Sequence, residues 1–518
     1  MMKEYDLIVV GSGHNGLIGG CYLAKSGLKV LVLEKREILG GGATTEELTL
    51  PGFKHDACSS EHVLIFFGPV IKELELETRY GLEYYFHPVL YGVGFMDGTS
   101  IAMYKEVKKT CESIAKVSEK DADTYLSLYN KFLSIKEPFL SQSFSPPVDP
   151  SVFFGNLERV EGGKELARLA MLNPKEVLDE LFEDERTKGF IYGMSGAALL
   201  NSPDEFGSGL SIFITLGLQY YGKIGKAVGG AGMLTYSLRK CLEDNGGETR
   251  VNSEVDRIIV EDGKASGVKL KDGEIIKAKK AILVNSPPHL IVKMVGKDYV
   301  GEDFSRKAEN FRFGTGLFAI HLALDGEVNF NASELNGCGA TIIYETLSHS
   351  LKCFNECKEG RIPWDNICLY FTNYNLGLSS RAKRAPEGKA AALLMGIPVP
   401  AFFSDGSSWH FHKMKFAEAL ISKLEEYAPN IRSLIIKSRI ESPSDIERRI
   451  PGMVGGDIMI GRNSLEQYFF RPFPGYTHYR TSIPNLYMTG GATWPSGGIS
   501  GASGYNVANI IKEDLNIR

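Results

Sequence analysis

The first 47 residues constrain this chain more than any other stretch. Residues 5–10 form an apolar run with β-branched members, and Gly11-Ser12-Gly13-His14-Asn15-Gly16 follows at once. Leu17, Cys21 and Ala24 then recur at helical spacing, Gly27 can end that helix, and residues 30–33 make a second apolar strand closed by Glu34. This is G-x-G-x-x-G in a strand–turn–helix setting. Gly11 allows the tight turn, Gly13 lets a pyrophosphate approach the backbone, and Gly16 lets helix and strand close on each other. The helix N-terminus offers free N–H groups and a positive dipole end to phosphates. Glu34 stands 23 residues after Gly11, about where a carboxylate meets ribose hydroxyls.

The next residues narrow the ligand. Glu34-Lys35-Arg36 leads into Gly40-Gly41-Gly42-Ala43-Thr44-Thr45. A nicotinamide site does not need a second glycine run there; the bland alternative is a surface turn. The run resembles the extended signature of two-dinucleotide-binding-domain flavoproteins, which implies backbone passing close to FAD. Gly92-Val93-Gly94 lacks a third glycine and the strand–helix setting, so no separate NAD(P)-binding domain is expected.

Nucleotide-binding character recurs in three separated pieces. The expected FAD-binding domain takes residues 1–60, 225–290 and 475–518, and a substrate domain takes 61–224 and 291–474. In the second piece, Gly229-Gly230-Ala231-Gly232 leads into a helix with Leu234, Leu238 and Leu242 on one face. Short strands are predicted at 255–260, 265–270 and 274–278, with Asp-Gly turns between them. A separate buried strand is predicted at 281–284. In the third piece a strand at 486–489, a glycine-rich loop at 490–504 and a helix at 505–515 are predicted, with Val507, Ile510, Ile511 and Leu515 inward. Residues 141–150, rich in Ser and Pro, read as a loop.

The terminal stretch Thr489-Gly490-Gly491-Ala492-Thr493-Trp494-Pro495-Ser496-Gly497-Gly498-Ile499-Ser500-Gly501-Ala502-Ser503-Gly504-Tyr505-Asn506 resembles the closing motif of the phytoene desaturase-like flavoproteins. Ala43-Thr44-Thr45-Glu46-Glu47, Ala385-Pro386-Glu387-Gly388-Lys389, Ser442-Pro443-Ser444-Asp445-Ile446-Glu447 and Gln467 near Arg471-Pro472 resemble the same group. The resemblance implies an α/β two-dinucleotide-binding-domain flavoprotein. Its Rossmann-type FAD domain carries a three-stranded antiparallel insertion, beside an interleaved α+β substrate domain. It implies FAD as cofactor. Gly11, Ser12, Gly13, Asn15 and Gly16 would hold the pyrophosphate turn, Glu34 would take the adenosine ribose, and Lys35 would be among the cofactor-binding residues. Gly41, Gly42 and Ala43 would line the way to the flavin, and Val255 would meet the adenine side. Gly490 and Gly491 would sit by the ribityl phosphate, and Ile499 and Ser500 would offer N–H groups to the flavin's pyrimidine end. Trp494 and Ser496 depart from the histidine and glycine of many relatives.

Few side chains suggest a catalytic group. His62, Trp494 and Tyr505 are the candidates; the alternatives are an ordinary surface or core histidine for His62 and an indole packed beneath its loop for Trp494. His14, inside the phosphate turn, reads as packed against the cofactor. His410 and His412 are spaced to share a strand face, but no third ligand accompanies them, and Cys353 and Cys357 lack a second pair, so no metal site is expected. Aromatic doublets at 66–67, 84–86, 220–221, 402–403 and 469–470 are core by default and otherwise walls of an apolar channel.

Net charge is −5 with no long basic run, which argues against nucleic acid. No signal peptide is read before the first strand, and the apolar stretch at 210–218 is too short to span a bilayer. A cytoplasmic location is expected, or peripheral contact at the inner face of a membrane. The predicted activity is FAD-dependent hydride transfer between flavin N5 and a carbon of a small lipophilic substrate, making or removing a C=C bond. The alternatives are a flavin-dependent amine oxidase, a redox-neutral isomerase using reduced FAD, and a non-catalytic FAD-binding protein. The electron donor or acceptor is left unassigned.

Overall fold

The computed structural model describes residues 4–160, 162–374 and 382–517. The apolar runs at the start of the chain become strands Glu4–Val10 and Val30–Leu33, joined through helix His14–Lys25. They sit in the middle of a parallel layer ordered Glu248–Arg250, Val30–Leu33, Glu4–Val10, Ile275–Val284, Leu486–Met488. Such strands are covered on both faces, which is why they read as unbroken apolar runs. On one face Leu7, Val9, Val30 and Val32 meet the helices His14–Lys25, Gly232–Asp244 and Ala502–Asp514. On the other, Ile8, Val10, Leu31 and Leu33 meet the antiparallel strands Val255–Glu261 and Lys264–Leu270.

Two predicted strands, 274–278 and 281–284, are one strand, Ile275–Val284. Tyr5 pairs with Ala278 and Leu7 with Ala281, so Lys279 and Lys280 together oppose Asp6 in a bulge. Their ammonium groups reach Glu4 at 3.0 Å and Asp6 at 3.8 Å. The lysines that looked like a break are therefore the hinge by which one strand serves two partners. Its first half pairs antiparallel with Lys264–Leu270 and its second half parallel with Leu486–Met488. The final helix begins at Ala502, three residues before the predicted start, after Gly501 turns the chain at φ 76°. The predicted loop at 141–150 narrows to 145–149, because helix Glu119–Ser141 runs into the 3-10 turn Gln142–Phe144.

A second, mixed sheet has seven strands in the order Ile435–Glu441, Gly316–Leu324, Ala390–Val399, Leu369–Asn373, Cys338–Ile343, Val89–Gly94, Ser100–Tyr104. Ala390–Val399 is buried throughout and alternates between two cores. Leu393, Met395 and Ile397 face a layer of helices that includes Glu185–Leu199 and Phe213–Tyr221. Ala392 and Leu394 face helix Trp409–Tyr427 through Phe416 and Leu420. His410 and His412 lie on that helix, not on a strand, so they share no strand face. His412 instead stacks on Phe403 at 5.1 Å and meets Ser407 Oγ at 2.9 Å. No helix among the described residues is long and apolar enough to cross a membrane.

Candidate active site

A cavity of about 500 Å³ opens at the C-terminal ends of the parallel strands and runs on to the second sheet. Crevices beyond the carboxyl ends of parallel strands are where such sheets bind ligands. Val10, Leu33, Glu34 and Asn285 border it from the parallel layer, and Tyr370, Met395 and Ile397 border it from the second sheet.

The glycine segments form one wall. Gly11 holds φ 95°, and a Cβ on Gly16 would stand 2.5 Å from the Gly11 carbonyl oxygen. A Cβ on Gly41 would stand 3.3 Å from Gly13 Cα, so two glycine backbones meet at the cavity. Glu34 fastens them: its Oε2 accepts from Ser12 N at 3.0 Å and Ser12 Oγ at 2.6 Å, and its Oε1 accepts from Arg36 N at 3.0 Å. Ser12 Oγ in turn accepts from Gly40 N at 3.1 Å. Asn15 Oδ1 accepts from Gly504 N at 3.2 Å, which locks the starts of the first and last helices together. Gly490 N donates to Ser503 Oγ at 3.0 Å. Lys35, Glu254, Val255, Asp256 and Lys271 continue this wall, and burial lowers the Lys35 ammonium against the pull of Glu254 and Glu34.

A buried loop at 457–461 closes the junction between the two walls. The Asp457 carboxylate accepts from Gly314 N at 2.7 Å, Gly461 N at 2.8 Å and Met459 N at 2.9 Å, and burial pushes its pKa up. Arg471, fully buried, donates to the carbonyls of Gly491 at 2.9 Å, Ile460 and Gly461 at 3.1 Å, and Arg462 at 3.2 Å. Burial pulls its pKa down to about 10. The sequence signalled Arg471 only as part of a motif, because a guanidinium bound to main-chain carbonyls leaves no partner to read.

The opposite wall is aliphatic and sulfur-bearing. Met194, Leu199, Ile214 and Leu218 come from helices, and Ile450, Met453, Ile458 and Met459 from the segment around the buried loop. Tyr370 is the one Phe, Tyr or Trp ring among the described lining residues.

A family model for an NAD(P)-binding Rossmann-like domain matches residues 9–69. A limonene dehydrogenase polypeptide of Castellaniella defragrans is 28% identical over 100% of this chain and 96% of its own length. Phytoene desaturase (lycopene-forming) of Pseudescherichia vulneris is 24% identical over 98% of this chain and 99% of its own. Over nearly its whole length the chain resembles the phytoene desaturase-like oxidoreductases. A solved oxidoreductase from Methanosarcina mazei shares the fold, with a TM-score of 0.62 at 16% identity over 98% of this chain and 99% of that one. This chain is an oxidoreductase, and the relatives that span it are by name a dehydrogenase and a desaturase.

Most residues singled out from the sequence border the cavity: Gly11, Gly13, Asn15, Glu34, Lys35, Gly41, Gly42, Val255, Gly490, Gly491 and Ile499. Four stand behind it. The Ser12 amide is taken by Glu34, and Gly16 is pressed against the Gly11 carbonyl. The Ala43 carbonyl accepts from Thr235 Oγ1 at 3.0 Å, and Ser500 Oγ accepts from Ala502 N at 3.2 Å.

None of the three catalytic candidates is among the residues that border the cavity. His62 is buried with Nδ1 2.7 Å from Tyr84 Oη, while its chain neighbours Glu61 and Val63 border the cavity. Burial first, and then Arg384, pulls its pKa down to about 4. Trp494 follows its structural alternative: the indole is buried beneath the loop, donates to Ser145 O at 2.9 Å and meets Tyr468 edge-on at 4.9 Å. Tyr505 lies on the outer side of its helix against Tyr22 and Phe144. None of the five aromatic groups borders the cavity; most of their rings pack against one another, as Phe67 on Tyr221 and Phe66 on Tyr84 do, while Phe86, Tyr220 and Phe402 are exposed. His14 does border the cavity, with its pKa lowered to about 4 by burial and then by His62.

Proposed function

We propose that this chain holds FAD along the glycine wall and oxidises or reduces a carbon–carbon bond of a lipophilic molecule seated against the aliphatic wall. The observation that carries this reading is the single cavity in which the two walls meet. The glycine wall fits the group. Gly13 and Gly41 leave a cradle that a side chain would fill, and Gly490 is equally close, its Cβ position 2.6 Å from Asn285 Oδ1. Gly13, Gly41 and the start of helix His14–Lys25 would take the pyrophosphate, Glu34 and Lys35 the ribose, and Val255 the adenine. Ile499, just before helix Ala502–Asp514, would meet the pyrimidine end of the flavin, where that helix's positive end favours negative charge. FAD, when bound, supplies a two-electron acceptor or donor. The protein's part is to exclude water with the aliphatic wall and to hold the reacting carbons still.

In this reading residues 1–60, 225–290 and 475–518 form the FAD-binding domain, and 61–224 with 291–474 the substrate domain. The origin of the strands supports it. Every strand of the parallel-layer sheet comes from the first set, and every strand of the mixed seven-stranded sheet from the second.

An amine substrate fits less well. A protonated amine needs a free carboxylate, and Glu61 beside Tyr370 already faces the Lys226 ammonium at 3.3 Å. Anaerobic addition of limonene or phytoene to the FAD-loaded protein should bleach the visible flavin band, and putrescine should not. Bleaching by putrescine alone would overturn the reading. Delivery from a membrane is proposed through Phe411 and Met414, 74% and 67% exposed near the start of helix Trp409–Tyr427, with Phe402 59% exposed. Flotation with anionic liposomes tests it; protein that stays in the soluble fraction at low and high salt would contradict it.

A further inference from the structure

One carboxylate at the cavity, already paired with a buried lysine, lies on the side where the substrate would sit. Four carboxylates border it among the described residues: Glu34, Glu61, Glu254 and Asp256. Glu34 is consumed by Ser12 and Arg36 at the glycine turn, and Glu254 pairs with Lys271 at 2.8 Å beside Val255. Asp256 follows Val255 at the same end. Glu61 alone sits on the aliphatic side, next to Tyr370, which pairs in register with Met395 of the cavity wall.

Its surroundings are built. Lys226 is 1% exposed, and its ammonium donates to Gly339 O at 2.7 Å, Asn373 O at 2.6 Å and Thr372 Oγ1 at 2.6 Å. With that donor pointing into its oxygen, the Thr372 hydroxyl gives its own proton to Glu61 Oε1. Ser60 Oγ donates to Glu61 Oε2 at 2.6 Å. A buried ion pair costs more than an apolar pair of equal volume, so packing does not explain it. Burial lowers the Lys226 ammonium, and Glu61 is the foremost group holding it charged.

We propose that Glu61 is the proton acceptor at this cavity: it takes the proton released when a substrate CH–CH bond is oxidised and keeps it while the cofactor stays reduced. This rests on the FAD reading above. Desaturation breaks two C–H bonds. FAD held along the glycine wall would supply the acceptor for one hydrogen with its electron pair; the other hydrogen would leave as a proton to a Glu61 oxygen, and its electron pair would become the C=C bond. In the saturating direction the same proton returns to carbon. Glu61 is thus the catalytic residue, and its orientation is fixed by Thr372, Lys226 and Ser60.

The test is the infrared difference spectrum of the FAD-loaded protein, dithionite-reduced minus oxidised, with the visible flavin spectrum recorded on the same sample. Wild-type protein should gain a carboxylic acid C=O band on reduction. Glu61→Gln should lose that band while retaining full FAD, and Glu61→Asp should shift it. A band unchanged in both variants, or no band in FAD-loaded wild type, overturns the assignment and leaves the FAD reading standing. Wild-type protein that takes up no FAD overturns both. If Glu61→Gln does not fold, the shift or constancy of the Glu61→Asp band decides the question.

Discussion

The two walls of the cavity are made differently. The glycine wall is backbone, supplied by short contiguous segments at 11–16, 40–43 and 490–498, and its few side chains serve to fix that backbone to itself. The aliphatic wall is side chain, gathered from distant helices and strands, one or two residues from each. A wall of backbone tolerates almost no substitution, because a Cβ added at Gly13, Gly16, Gly41 or Gly490 would stand 2.5–3.3 Å from neighbouring protein atoms. A wall of Leu, Ile and Met can be reshaped at modest cost, Met above all, and so can follow a changing substrate.

The largest effect should come from the glycine wall. Gly13→Val puts a Cβ 2.6 Å from Asn285 Nδ2 and two methyls into the cradle. FAD retention after gel filtration should fall by about 100-fold or more, equal to ~2.7 kcal/mol of binding. A yellow variant would break the comparison. Arg471→Met tests the loop that joins the walls. It strips the carbonyls of Gly491, Ile460 and Gly461 of their donor, so thermal or urea unfolding should show a loss of about 3 kcal/mol.

Acid probes the same junction. His14 and His62 are held uncharged, their pKa values lowered from 6.5 to about 4. Below pH 6.5 the unfolded chain binds protons that the folded chain refuses. Their contribution is therefore complete above pH 6.5 and lost as pH falls toward 4, at ~1.4 kcal/mol per pH unit for each group. Urea melts from pH 7 to 5 should show this slope, reduced by about one proton in His62→Gln. Glu34→Gln keeps the fold but weakens the brace between the two glycine runs, and FAD affinity measured by fluorescence quenching should drop about tenfold, ~1.4 kcal/mol. Trp494→Phe should give the smallest change. It loses one hydrogen bond to Ser145 O, worth about 1 kcal/mol in a thermal melt, with flavin content unaltered. A flavin spectrum altered by that substitution would place the indole nearer the cofactor than its packing beneath the loop allows.

What could be read from the sequence follows the same division. Strand Glu4–Val10, the turn after it, strand Val30–Leu33 and Glu34 are consecutive, and each residue type answers a local demand, so pattern alone locates them. Lys279 and Lys280 misled because a bulge looks like a break until the partner strand is known. The aliphatic wall had no local signature: Ile214, Met395 and Ile458 resemble any core residue, and only the tertiary fold separates cavity from core. Aromatic doublets stood out in the sequence yet stay away from the cavity: most of their rings pack into the core, where large rings bury most area, and Phe402 lies on the surface. Arg471 and Lys226 bind mainly carbonyls of the main chain, a type of partner that no residue name reveals.

The most direct measurement of the central claim is the identity of the cofactor that the protein carries. The purified chain should be denatured and the released nucleotide separated by chromatography and quantified against protein. The account predicts FAD at about one per chain, absent from Gly13→Val. Release of a nicotinamide dinucleotide in place of FAD would contradict it.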